Sequence, residues 1–67
     1  MNLELLRWRI YESGKTIKSV AADLGIKESS MYRKLAHDGQ KITVNDARKI
    51  VEVLNLTPED TNAIFFS

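Results

Sequence analysis

Few side chains in this 67-residue chain could carry covalent chemistry. Its single histidine, His37, has Asp38 beside it and serines only at scattered positions. A hydroxyl, an imidazole and a carboxylate on separate short helices need a cleft to bring them together, and a chain this small has no reserve for one. Cysteine is absent, which excludes a disulfide framework and a cysteine zinc site, and one histidine leaves the other common metal sites short of ligands. The sequence therefore predicts no enzyme and no cofactor.

Positive charge is what the chain concentrates. Net charge is only +1, but from Lys15 to Lys41 six cations (Lys15, Lys18, Lys27, Arg33, Lys34, Lys41) face three anions (Asp23, Glu28, Asp38). Charges before this stretch cancel, and after it Arg48 and Lys49 are outnumbered by Asp46, Glu52, Glu59 and Asp60. One basic region between a neutral and an acidic one is suited to a polyanion, although a solvated helix surface carries lysines too.

The elements that must position these charges are short helices. Ile17, Val20, Ala21 and Leu24 recur at three- and four-residue steps and form one apolar stripe, with Thr16 placed to cap the helix start. Gly25 follows at once, able to take the left-handed conformation that ends a helix and turns the chain. Ile26 returns to the core, and a second helix from about Glu28 faces the first through Met31 and Leu35. The small Ala21 suits the close contact between the two. Residues 16–36 read as a helix-turn-helix.

Around that unit three more helices are predicted. The first runs from Asn2, a candidate cap, to about Glu12, with Leu3, Leu6 and Ile10 on one face and a second stripe of Met1, Leu5 and Trp8. Trp8 either covers the edge of its own core, the simpler reading, or with Leu5 meets the C-terminal helix or another chain. His37 to Ile42, with Asp38-Gly39, reads as a surface connection. A fourth helix starts at Thr43 with Asp46 completing a capping box, and Val44, Ala47, Ile50, Val51 and Leu54 are expected to form its core face. Asn55-Leu56 closes it, and Thr57-Pro58-Glu59-Asp60 opens a fifth helix whose end carries Ile64, Phe65 and Phe66. Phe65 is expected in the core and Phe66 partly exposed. This is an all-α, five-helix compact arrangement, a single domain over residues 1–67. No apolar run approaches the roughly 20 residues of a membrane span, and no signal-peptide pattern opens the chain, so a cytoplasmic location is expected.

The pattern Thr16, Val20-Ala21, Leu24-Gly25-Ile26, Ser29-Ser30-Met31-Tyr32-Arg33-Lys34-Leu35, then Thr43-Val44, Ala47 and Ile50, resembles the Cro-like or Xre-type DNA-binding domains of phage repressors. The likeness extends over nearly the whole chain and is to the short, single-domain form. It implies a lambda-repressor-like fold with helices 2 and 3 as the helix-turn-helix, and a transcriptional regulator of phage or prophage type. Matched by position, Lys27, Glu28, Ser29 and Arg33 would read base edges in the major groove. The chemistry fits: Lys27 and Arg33 donate to guanine, Glu28 accepts from cytosine, and Ser29 serves a base or a phosphate. Glu28 has an equally plain role as an acid at a helix start. Lys18, Lys34, Lys41 and the Tyr32 ring would contact the sugar-phosphate backbone, with Lys15 and His37 as lesser candidates. The family's short members commonly dimerise through their C-terminal part, which implicates Phe65 and Phe66, with Trp8 as a further candidate. Double-stranded DNA and a homodimer on it are the partners implied; neither a membrane nor a small-molecule effector is.

Three positions depart from the family pattern. Ile17 stands where glutamine commonly holds a phosphate, Lys27 where a small capping residue is common, and Lys34 where an apolar residue is frequent. The lysine stem at 34 is expected to cover the core edge while its charge reaches water. The rival reading, favoured by the low net charge and the aromatic residues, is a helical protein-interaction module, an anti-repressor or host-factor-binding protein without specific DNA binding.

Overall fold

The computed structural model describes residues 1–66. It contains five α-helices and one short 3-10 turn: α1 (Leu3–Glu12), α2 (Ile17–Leu24), α3 (Glu28–Lys34), the turn His37–Gly39, α4 (Val44–Leu54) and α5 (Pro58–Phe65). There is no strand among the described residues.

Each helix starts where a side chain replaces a missing backbone partner, with one exception. Asn2 accepts from the Leu5 N–H, Thr16 from Ser19, Thr43 from Asp46 and Thr57 from Asp60. Lys27, before α3, has no side-chain oxygen and makes no such bond. Helix α2 stops at Gly25, whose φ of 74° lies in the left-handed region, and the Ile26 N–H reaches back to the Ala21 carbonyl at 3.0 Å. Asn55 (φ 52°) ends α4 in the same way, with Leu56 donating to Val51 at 3.0 Å.

The core is made of Leu6, Ile10, Val20, Ala21, Leu24, Met31, Leu35, Ile50 and Ile64, drawn from every α-helix and from Leu35 just after α3. Helix α2 packs on both α3 and α4, and α1 packs on α5. The outer pair is antiparallel: the Asn2 N–H donates to the Ile64 carbonyl at 2.7 Å, and Arg9 meets Asp60 at 3.0 Å. Hydrogen bonds to Glu12 and then to Asp60 raise the Arg9 guanidinium above its ordinary value, against the opposing cost of desolvation.

Four expectations need correction. Val44 is 74% exposed and does not belong to the core; of the predicted α4 face only Ile50 is fully buried, while Ala47, Val51 and Leu54 are half-buried. Trp8 is 54% exposed and stacks on Tyr11, ring centroids 5.7 Å apart, instead of closing the core edge. Phe66 is 78% exposed, more than the partial exposure expected, and it is Ile64 that fills the centre while Phe65 packs at the core margin. The Lys34 ammonium ends on Asp46 at 2.8 Å and not in water.

Candidate nucleic-acid interface

Helix α3 is amphipathic over barely two turns. Met31 and Leu35 are buried against α2, which leaves Glu28, Ser29, Tyr32 and Arg33 exposed. Lys27 is exposed just before them. The four residues expected to read bases, Lys27, Glu28, Ser29 and Arg33, thus share one open edge. The Arg33 guanidinium rests 3.4 Å from the Ser30 hydroxyl, a long contact on an exposed surface that leaves the group ready for another acceptor.

The backbone-binding candidates divide. Lys18 and Lys41 are exposed, and neither is in an ion pair among the described residues. Lys15 is drawn to Asp23 at 3.2 Å. Lys34 is held by the Asp46 carboxylate, whose Oδ2 also accepts the Thr43 N–H at 3.0 Å. Burial acts to raise the Asp46 pKa, but the hydrogen bonds from Lys34 and Thr43 outweigh it and hold the carboxyl below its usual range. His37 lies in the α3–α4 connection with φ 50°, beside Asp38 at 60° and Gly39 at 76°.

The structure also brings in two residues that the sequence did not single out, Arg7 and Tyr11. Between α1, the start of α2 and α3 lies a hollow of about 370 Å³ lined by Arg7, Ile10, Tyr11, Lys15, Thr16, Ile17 and Tyr32. No carboxylate lines it. Thr16 and Ser19 satisfy each other, but the Ile17 and Lys18 N–H groups have no intrachain acceptor among the described residues. The positive end of α2 therefore opens beside two cations and two phenols. Arg7 and Tyr11 stand one turn apart on α1, beside its core stripe of Leu6 and Ile10. That spacing was visible in the sequence; that they meet Tyr32 was not.

Trp8 does not line the groove that holds Phe65 and Phe66, so the three residues expected at an interface between copies are not one patch. Among the described residues no group of three or more histidines, cysteines or acids is placed to hold a metal, and no helix is long and apolar enough to cross a membrane. No family model, curated protein or solved structure matches the chain.

Proposed function

We propose that this chain is a sequence-specific DNA-binding regulator of the phage-repressor type, Cro-like or Xre-like, working without cofactor or catalysis in the cytoplasm. The observation that carries the reading is the open edge of α3. A short helix anchored by Met31 and Leu35 presents a lysine, a carboxylate, a hydroxyl and a guanidinium together, the donor and acceptor set that distinguishes base pairs in the major groove. Lys27, Glu28, Ser29 and Arg33 read bases. Lys18, Lys41 and Tyr32, joined by Arg7 and the free N–H groups of α2, grip the phosphates on either side. Lys34 is withdrawn from that set because Asp46 holds it.

One such helix samples only a few base pairs. A two-fold pair of chains places two of them about one turn, roughly 34 Å, apart, and so recognises a pseudo-palindromic operator. Occupancy of that operator blocks polymerase. The test is selection of bound sites from a randomised duplex pool, where a dyad-symmetric consensus is the expected result.

The stacked and exposed Trp8–Tyr11 pair favours a second reading, a protein-interaction module that docks an apolar partner. Salt separates the two, because phosphate binding weakens steeply with added salt and apolar docking does not.

A further inference from the structure

The hollow between α1, the start of α2 and α3 joins two kinds of chemistry in one space. Arg7 and Lys15 bring positive charge to it, and no carboxylate lines it. Lys15 is shared with Asp23, but Arg7 is exposed and in no ion pair among the described residues. The rest of the lining is largely apolar: Tyr11 from α1 and Tyr32 from α3 stand exposed, and Ile10 and Ile17 are set deeper. We propose that the hollow binds a free nucleoside monophosphate, which lays its base on the tyrosine rings and its phosphate on Arg7 and Lys15, and so displaces the DNA backbone from Arg7 and Tyr32. The displacement rests on the DNA reading above; the binding does not.

The mixed lining selects this ligand. A phosphate of the duplex backbone uses the two cations but leaves the apolar space beside them unfilled, and an apolar peptide segment fills the space but leaves the cations without a partner. A ligand that uses both is an anion with a flat, stackable body. Two cations answer the roughly −1.5 to −2 charge of a phosphate monoester better than the single charge of a carboxylate. Every nucleobase presents a π face to an aromatic ring.

Size and order agree. At about 370 Å³ the hollow stands at the small end of the roughly 300–1,000 Å³ range of ligand clefts, where a single nucleotide fits and a dinucleotide does not. Tyr11 is 73% exposed, yet Trp8 backs its ring at a centroid distance of 5.7 Å without itself lining the hollow. That stack holds one wall in place before a ligand arrives, which reduces the ordering that binding must impose.

Isothermal titration calorimetry of the full chain with AMP, GMP, CMP and UMP, without DNA, tests the site. Saturable binding of at least one of them is expected, with a Kd below about 1 mM. Adenosine and inorganic phosphate, each carrying only part of the recognition, are expected to bind at least about tenfold more weakly. Arg7→Met is expected to weaken nucleotide binding about tenfold or more, and Tyr11→Leu about fivefold or more. Lys49→Ala removes an exposed charge outside the hollow and is expected to change nothing. Circular dichroism confirms that each variant is folded. No binding of any nucleotide up to about 10 mM, inorganic phosphate binding as tightly as the nucleotide, or indifference to both Arg7→Met and Tyr11→Leu overturns the site. Binding of a 5′-phosphorylated single strand in place of the free nucleotides overturns it as well.

Duplex titrations with and without the nucleotide at about ten times its Kd test the displacement, and DNA binding about tenfold weaker is expected. Equal affinity overturns the displacement. A chain that binds nucleotide but no duplex refutes the DNA reading and leaves the site standing, and one that binds duplex but no nucleotide does the reverse.

Discussion

The Lys34 ammonium lies 2.8 Å from Asp46 Oδ2, which joins the last residue of α3 to the capping box of α4. Lys27 gives α3 no cap, and the helix has only seven residues, so its placement depends on Met31, Leu35 and this ion pair. Lys34 is therefore better placed to orient α3 than to touch phosphate. Lys34→Met is expected to destabilise the fold by about 1 kcal/mol, since Asp46 keeps its Thr43 bonds but loses its cation. It should leave the slope of log affinity against log salt unchanged. Chemical denaturation gives the first quantity and DNA titration over a salt series the second; a slope reduced by about one would return Lys34 to the phosphate contacts.

Asp46 also sets a pH dependence. Its folded pKa is depressed below the usual value of 3.8, so the folded state binds its proton less readily than the unfolded chain does. The stabilisation is in place above the unfolded value and is lost as pH falls through the lower folded one. Thermal unfolding of wild type and Asp46→Asn should differ most at neutral pH and converge under acid conditions. A gap that persists unchanged in strong acid would assign the effect of the substitution to packing instead.

Much of this arrangement is legible in the sequence, and the reason is local. Thr16, Gly25, Thr43, Asn55 and Thr57 each mark a helix end by a bond to a residue within a few positions, so α2, α4 and α5 follow from neighbouring chemistry. What escapes is set by distant parts of the chain. Periodicity groups Val44 with Ala47 and Val51, but whether that stripe is covered depends on where α5 lies, and α5 leaves Val44 open. Trp8 is exposed for the same kind of reason. The Lys34–Asp46 pair spans a connection with three successive residues at positive φ, His37, Asp38 and Gly39, a path that residue types alone do not specify. The hollow that joins Arg7 and Tyr11 to Tyr32 likewise exists only once α1 and α3 are placed together.

Arg33 and Lys41 are expected to fail differently. Arg33 is exposed on α3, and on the DNA-binding proposal its guanidinium pairs with guanine O6 and N7, so Arg33→Ala should cost about 1–3 kcal/mol at one operator position and relax preference there. Lys41→Ala should weaken all sequences alike and lower the salt slope by about one. Competition titrations against single-base operator variants distinguish them. Indifference of binding to both changes would displace the DNA face from α3.

Gly39 combines a φ of 76° with burial, and a Cβ built there would run into Met1 Sδ. The methionine tip can move, but the left-handed backbone cannot become right-handed without re-routing the α3–α4 connection. Gly39→Ala is therefore expected to cost about 1–2 kcal/mol. Gly25→Ala, at a φ of 74° with nothing within 4 Å, isolates the backbone part of the same cost. Equilibrium unfolding of the two variants should rank Gly39→Ala as the more damaging, and the reverse order would mean that the Met1 side chain is not held against the turn.

Helix α4 offers the sharpest internal contrast, because two β-branched residues on it have opposite surroundings. Ile50 is 1% exposed among the core side chains, whereas Val44, six positions earlier, is 74% exposed. Ile50→Ala should cost about 2–5 kcal/mol from lost burial and the cavity left behind. A domain of this size holds only about 3–10 kcal/mol in total, so that variant approaches the limit of folding. Val44→Ala should fall within about 0.5 kcal/mol of wild type. Both are compared by denaturant unfolding. A large loss at Val44 would mean that α5 covers the start of α4 more tightly than the structure has it.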